Sequence, residues 1–204
     1  MKKLNMFCLT LQPEHYKFIK KLGYKPVGLG EEVFNNDWFT DKSGTNISNK
    51  NKNYGEYTFH YWIWKNYLDK IDDGWIGFCQ YRKFWSLTDH KREDITFQNI
   101  EDKVLKTIPE EYEKYDTILG VPMFVNQWKI MKFLKKGLKI VVKKPALIFD
   151  KNKRNLKFHF DLMHGENNLD KAIDLLDTLN ADDFKKFVST EVSFNPQNMF
   201  ICKS

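Results

Sequence analysis

Polar and charged side chains directly follow a short apolar run near the middle of the chain. The run is WIGFC, residues 75–79, and the next four residues are Gln80, Tyr81, Arg82 and Lys83. In open α/β sheets, ligands bind beyond the carboxyl ends of the strands. Arginine can hold phosphate oxygens through two parallel hydrogen bonds, and lysine adds a point charge. The pattern therefore predicts an anion-binding site, although a strand that simply ends among solvated charges would have the same sequence.

A second polar cluster precedes an aromatic-rich segment. Residues 46–53 contain Asn46, Ser48 and further asparagines, whose amide and hydroxyl groups are of the kind that hydrogen-bond ribose or sugars. The spacing of Asn53 and Glu56 matches a capping box, which predicts a helix beginning at Asn53. A helix N-terminus attracts anions. Asn-rich runs are also typical of ordinary turns, so both interpretations stay open.

The predicted helix is apolar over most of its surface. Projected at about 100° per residue, one side carries five large side chains: Tyr54, Tyr57, Tyr61, Trp64 and Leu68. Three more cover much of the remaining surface: Phe59, Trp62 and Ile63. A helix that is apolar nearly all round is typically buried. We therefore expect this helix to lie centrally and to support the polar groups at both ends of the segment.

Two histidines lie near carboxylates in the sequence. Glu56 and His60 are one helical turn apart, and we expect a hydrogen bond between them. His164 lies in HGENNLD beside Glu166, where it could act as a general base or a metal ligand. Exposed loops of that composition are nevertheless more common. Asn198 precedes a final apolar run and by itself indicates little.

Composition narrows the classes of protein. The 204 residues are 42% hydrophobic, which excludes a disordered chain. The net charge of +6 favours anionic partners such as nucleotides, phosphates or a membrane surface. Three widely spaced cysteines form no zinc or disulfide pattern and favour a reducing cytoplasm. No stretch approaches about 18 apolar residues, so we expect any membrane contact to be peripheral.

Strand signals alternate with helix signals along the chain. Strands are predicted over residues 4–11, 75–79, 116–122 and 199–202, and helices over 99–114 and 168–180. Such alternation predicts an α/β domain with a mostly parallel central sheet. Residues 127–145 are strongly basic and are compatible with either a helix or a hairpin. Because no internal repeat or linker interrupts the chain, we predict one domain over residues 1–204.

Together these segments resemble a bacterial glycosyltransferase family long catalogued as a domain of unknown function, whose members occur in capsular, exopolysaccharide and lipopolysaccharide gene clusters. The matching residues are Asn-Ile-Ser at 46–48, Glu56, Thr58, Tyr-Trp-x-Trp-Lys-Asn at 61–66, Gly77, Tyr81, Arg82, His164 and Asn-Met-Phe-Ile at 198–201. Gln80 stands where the family has His, and Lys83 where it has a second Arg. Family members usually continue beyond the position of Ser204, so a C-terminally short member is expected.

The resemblance implies a single GT-A-like, Rossmann-related domain that transfers a hexosyl unit, such as galactosyl or galactofuranosyl. The donor would be a UDP-sugar, and the acceptor a lipid-linked or oligosaccharide precursor of a surface polysaccharide. The implied donor-binding residues are Asn46, Ser48, Gln80, Tyr81, Arg82, Lys83 and Asn198. Glu56 or His164 would be the catalytic base. We expect cytoplasmic localisation, with peripheral contact at the inner membrane face.

The diphosphate of such a donor needs a compensating positive charge. We expect cationic side chains to provide it and predict no metal-ligating residues, with manganese or magnesium as the alternative. Gln80 and the early C-terminus suggest a second possibility, a catalytically impaired member that binds a nucleotide sugar or carbohydrate. A third, a basic nucleic-acid-binding protein, rests on the net charge and the lysine-rich residues 129–157. It predicts steep salt dependence, but no recognised motif supports it, and we expect no nucleic-acid partner.

Overall fold

The computed structural model describes residues 2–71, 74–88, 94–127 and 150–204. The chain forms two compact units, the first comprising Met1–Gly120 with Gln197–Ser204 and the second Val121–Pro196. Both units have sizes within the range of folded domains, about 50–250 residues, and the single-domain hypothesis stays a prediction. The basic segment at 127–145 lies, apart from its first residue, outside the described residues.

The strands of the described chain are short, apart from the first. They are β1 (Lys2–Thr10), β2 (Lys25–Gly28), β3 (Phe39–Thr40), β4 (Trp75–Gln80), β5 (Thr107–Ile108), β6 (Thr117–Leu119), β7 (Met123–Phe124), β8 (Ser193–Phe194) and β9 (Phe200–Lys203). The helices are α1 (Tyr16–Lys21), α2 (Asn51–Tyr54), α3 (Tyr57–Asn66), α4 (Ile100–Lys103), α5 (Leu156–His164), α6 (Asn168–Ile173) and α7 (Thr178–Thr190).

The first unit is built on a seven-stranded sheet in the order β3-β2-β1-β4-β9-β6, with β5 paired to β1. Strands β3, β2, β1 and β4 pair in parallel, whereas β9 is antiparallel to both β4 and β6. The predicted α/β class with a mostly parallel central sheet is confirmed. Thr10 pairs with Gly28, and Leu9 with Gln80. The carboxyl ends of β1, β2 and β4 therefore meet at one edge of the sheet.

Both faces of the central strand β1 are buried, because successive side chains of a strand point to opposite faces. Met6 and Cys8 pack on the side that includes Ile19 of α1. Phe7 and Leu9 pack on the other side, which α3 covers. A parallel strand between two such layers is predicted to be a nearly continuous apolar run, and the sequence of β1 fits that description.

The helix predicted over residues 99–114 is wrong beyond its first turn. The α-helix there is α4, and Val104 after it is already extended; Glu110–Tyr112 form a separate single turn of 3₁₀ helix. Proline lacks the N–H that a helix interior needs and restricts the residue before it to extended conformations. Pro109 therefore favours the short strand β5, which ends at Ile108.

The second unit contains α5, α6 and α7, the two-stranded antiparallel sheet β7–β8 and a small apolar core. Its core residues are Val125, Leu156, Leu169, Ile173 and Val188. The continuous helix predicted over 168–180 is interrupted, because Asp177 caps a new helix by accepting the N–H of Asn180 at 3.1 Å. Within the described ranges, the protein has no helix long and apolar enough to cross a bilayer.

Candidate active site at the strand ends

The helix predicted to begin at Asn53 is instead two helices separated by Gly55. This glycine adopts φ 54° and ψ −132°, a combination that glycine tolerates far better than other residues. Asn51 Nδ2 donates to the carbonyl oxygen of Gly55 at 3.0 Å and stabilises the break. Glu56 therefore precedes α3 and makes no capping hydrogen bond with its side chain, so the capping-box prediction is wrong.

The carboxylate of Glu56 instead joins three segments that are distant in the sequence. Its Oε1 accepts a hydrogen bond from Nε2 of Gln80, at the end of β4, at 2.7 Å. Its Oε2 accepts one from Nδ2 of Asn198, just before β9, at 3.3 Å. A carboxylate has about four acceptor positions, so Glu56 can still accept a proton or a hydrogen bond from a further donor.

The predicted hydrogen bond between Glu56 and His60 is wrong. Nε2 of His60 is buried and has no hydrogen-bond partner among the described residues. The imidazole packs against the rings of Phe78 and Phe200, with centroids 4.5 and 5.2 Å away. Burial lowers the pKa of His60 to about 4, an effect that the charge of Glu56 partly opposes. His60 is consequently neutral at neutral pH and serves as a packing residue.

The residues that follow the apolar run of β4 form a tight turn. The N–H of Lys83 donates to the carbonyl oxygen of Gln80 at 3.0 Å, and the N–H of Gln80 donates to the carbonyl oxygen of Lys83 at 3.2 Å. Tyr81 and Arg82 therefore occupy the corner of the turn. Both residues, together with Gln80, line an open cleft, whereas Lys83 is not part of its lining.

This cleft lies where the carboxyl ends of the parallel strands meet. Its volume is about 410 Å³, within the range of about 300–1,000 Å³ common for small-molecule sites. Residues from the ends of β1, β2 and β4 and from the α2–α3 junction line it: Leu9, Thr10, Leu11, Gln12, Leu29, Asn51, Lys52, Gly55, Glu56, Gln80, Tyr81 and Arg82. The position is the one that the strand-end rule predicts for a ligand site.

His15 also lies at this edge and was not among the residues that the sequence predicts for the site. Its ring stacks on Tyr81 with centroids 4.1 Å apart and planes at 15°. Nδ1 of His15 lies 2.7 Å from Oγ1 of Thr10, and the guanidinium carbon of Arg82 lies 5.7 Å from the centroid of the Tyr81 ring. The strand-end rule that indicated residues 80–83 after β4 applies equally to the residues after β1, and would have found His15.

Asn46 and Ser48 use their polar groups within a local turn. Oδ1 of Asn46 accepts from the N–H and the hydroxyl of Ser48 at 3.2 and 2.8 Å, and its Nδ2 donates to the carbonyl oxygen of Gly44 at 2.9 Å. Such bonds are typical of Asx turns. Neither residue lines the cleft, where the same segment contributes Asn51 and Lys52 instead.

The structure thus brings five of the nine predicted site residues together in or beside the cleft. Four line the cleft, namely Glu56, Gln80, Tyr81 and Arg82, and Asn198 is hydrogen-bonded to Glu56. His164 belongs to the second unit, at the end of α5. Its ring lies 4.5 Å from that of Phe160.

The described residues contain no group of three or more His, Cys, Asp and Glu side chains that could coordinate a metal ion. Glu56 is the single carboxylate among the residues that line the cleft, and Mg²⁺ is usually bound by one or two carboxylates together with substrate phosphates. The cationic side chains of the lining are Lys52 and Arg82.

Comparison with known proteins gives a family match over nearly the whole chain. The model of the family described as "Domain of unknown function (DUF4422)" matches residues 8–204. Comparison with curated proteins gives no significant match. Among solved structures, the apo structure of the bifunctional glycosyltransferase WbbM is similar, with a TM-score of 0.49 and 20% sequence identity. That alignment covers 99% of this chain but 34% of the other, so this chain spans about a third of that structure's length.

Proposed function

The chain belongs to the family described as "Domain of unknown function (DUF4422)", and from that premise we propose that it is a glycosyltransferase with a GT-A-like fold. It would move a hexosyl unit, galactosyl or galactofuranosyl, from a UDP-sugar to a hydroxyl of a surface-polysaccharide acceptor. The observation that carries this proposal is the Glu56 carboxylate, held between two amide groups in a cleft that also contains Arg82.

The two cationic side chains that line the cleft, Lys52 and Arg82, are suited to bind the diphosphate of the donor. Arg82 offers a planar set of N–H groups that can hold two phosphate oxygens at once, and Lys52 adds a second positive charge from the α2 side. Negative charge accumulates on the nucleoside diphosphate as it leaves, and fixed cations stabilise the transition state more than the ground state. Tyr81 lies beside the donor in this arrangement.

Glu56 would act as the general base. The acceptor hydroxyl transfers its proton to the carboxylate while its oxygen forms a bond to the anomeric carbon. The bond between that carbon and the β-phosphate oxygen breaks, and the nucleoside diphosphate leaves with the electron pair. Gln80 and Asn198 fix the carboxylate through one oxygen each. A positioned base of this kind typically contributes about 10²–10⁴-fold to the rate.

A second candidate function is supported by one contact, the hydrogen bond from Gln80 to Glu56. An amide cannot accept and release a proton at physiological pH as a histidine does. A family member with an amide here can retain donor binding while losing turnover. The candidate is therefore a nucleotide-sugar-binding protein that uses the same cleft.

Two variants test the proposal through separate measurements. Arg82→Ala should lower affinity for the UDP-sugar by at least about tenfold in calorimetry, because a charge-assisted contact contributes about 1.5–3 kcal/mol. Glu56→Gln should bind the donor like the wild type and lose about 10²–10⁴-fold in transfer rate. Donor affinity without any turnover by the wild type would favour the binding-only candidate.

Lys83→Ala is the informative comparison for Arg82→Ala. The two cations are adjacent in the chain, but only Arg82 lines the cleft. Retained donor affinity in Lys83→Ala would assign the diphosphate contact to Arg82, whereas an equal loss would support the sequence-based prediction for Lys83. Unchanged affinity in Arg82→Ala, with an intact fold by thermal denaturation, would remove Arg82 from the donor site and contradict the proposal.

A further inference from the structure

The end of α2 and the side of α3 that faces away from the sheet are aromatic and open to solvent. Tyr54, Tyr57 and Trp64 are 50%, 52% and 60% exposed, and Tyr61 is partly exposed between them. Together these four residues form a surface that we call the aromatic face. The sequence predicts all four on one side of a single buried helix. Tyr57, Tyr61 and Trp64 do share a side of α3, whereas Tyr54 lies on α2, before the break at Gly55. The predicted burial is wrong, because the sheet covers only the opposite side of α3.

Lysines lie directly on the rings of the aromatic face. Nζ of Lys65 is 3.3 Å from the centroid of Trp64 and 5.9 Å from that of Tyr61. Nζ of Lys50 lies 6.0 Å from the centroid of Tyr54. Between residues 46 and 68 the chain has three lysines and a single acidic residue, Glu56, whose carboxylate is bonded within the cleft. The face is therefore both aromatic and cationic.

These side chains are of the types enriched where proteins meet the boundary of a bilayer. Tyrosine and tryptophan combine an apolar ring with a polar atom and concentrate at membrane–water interfaces. Lysine extends an apolar stem along such a surface while its ammonium group reaches the headgroups. Basic residues attract anionic lipids, whereas a neutral surface would give these lysines no counter-charge.

We propose that the aromatic face binds the surface of a bilayer containing anionic lipid, with α3 lying parallel to the membrane plane. The opposite side of α3 is held in the protein core through Phe59 and Trp62. The helix therefore cannot insert, and only its exposed rings enter the headgroup region. The contact is peripheral and reversible.

The face adjoins the cleft in the sequence. Tyr54 lies between the lining residues Lys52 and Gly55, and Tyr57 directly follows the lining residue Glu56. Membrane binding through this face would therefore hold the mouth of the cleft near the bilayer surface, where a lipid-linked substrate is confined. The membrane proposal does not depend on the donor chemistry, so it can be tested without any nucleotide sugar.

The test is flotation of the full chain with lipid vesicles. The wild type should float with vesicles of phosphatidylglycerol and phosphatidylcholine in equal amounts, and much less with phosphatidylcholine alone. The double variant Tyr57→Ser/Trp64→Ser should weaken binding at least about tenfold, because the apolar surface of two rings is no longer transferred from water to the bilayer. Lys65→Gln should weaken it about fivefold and reduce its dependence on salt, following the usual contribution of one lysine near an anionic surface.

Tyr115→Ser is the matched control. Tyr115 is also exposed and has a lysine, Lys114, 5.1 Å from its ring centroid, but it lies outside α2 and α3. Its replacement should leave flotation unchanged. The proposal is overturned if the wild type ignores anionic vesicles, or if the double variant, shown to be folded by circular dichroism, floats like the wild type. The proposal is also overturned if the protein binds a soluble polysaccharide through this face and does not bind vesicles, since the face would then be a glycan-binding surface.

Discussion

On the sheet-facing side of α3, Phe59 is fully buried, whereas on the opposite side Tyr57 and Trp64 are more than half exposed. The two sides carry similar ring types and have different roles. Phe59 packs with Phe7 and Phe78 at centroid distances of 5.5 and 6.4 Å. The difference shows that aromatic content alone does not decide burial, because an element with two apolar sides is buried only where another layer covers it.

The largest expected effect comes from truncating the buried side. Phe59→Ala should lower the free energy of unfolding by about 3–5 kcal/mol, because a buried ring is removed and the cavity left behind refills only in part. Tyr57→Ala, two residues earlier on the exposed side, should change it by no more than about 0.5 kcal/mol. Urea denaturation of both variants measures the difference. Similar losses in the two variants would mean that the exposed side is covered in solution.

His60 gives an intermediate and pH-dependent effect, because its ring lies between Tyr57 and the core residue Phe78. Burial lowers its pKa to about 4 in the folded chain from an ordinary 6.5. Above about pH 6.5 both states are neutral and the full stability is present. As the pH falls toward about 4, the unfolded chain binds the proton first, and about 3 kcal/mol is lost.

The variant His60→Phe isolates this loss, since the phenyl ring can occupy the same apolar position without titrating. Its free energy of unfolding, relative to the wild type, should rise steadily as the pH falls from about 6.5 to about 4. Denaturation curves at several pH values measure the difference, and contributions of the other titrating groups cancel. A difference that is constant with pH would show that His60 protonates as easily in the folded chain as in the unfolded one.

The two sides of α3 also show what the sequence could predict. Periodicity correctly grouped Tyr57, Tyr61 and Trp64 on one side, because it reports the angle between side chains. It could not report which side the sheet covers, since that depends on strand order.

The same limit applies to the candidate site. The strand-end rule located residues 80–82, but the partners of Glu56 come from β4 and from Asn198 near the C-terminus, and no local pattern pairs residues so far apart.

Gly55 is the local signal for a break between two helices, whereas the capping-box pattern indicated one continuous helix. A glycine inside a predicted helix lowers its stability by about 1 kcal/mol, and the break that it permits turns Glu56 toward the cleft instead of toward the helix N-terminus. The sequence indicated a carboxylate near a helix start, which is where Glu56 lies. The local sequence did not assign it a role as a catalytic base, which only the family resemblance implied, because a capping carboxylate and a site carboxylate differ only in the backbone conformation one residue earlier.

A loss of stability smaller than those expected at Phe59 and His60 tests that break. Gly55→Ala should cost about 2 kcal/mol, and the cost is conformational because a Cβ at this position would meet no atom within 4 Å. Gly23→Ala is the matched control, since Gly23 also has a positive φ and open space around it but lies beyond the end of α1. Both variants should lose stability in urea denaturation, whereas only Gly55→Ala should also reduce the transfer rate, by misplacing Glu56. If both variants retain full function, the bonds from Gln80 and Asn198 orient Glu56 without help from the break between the helices.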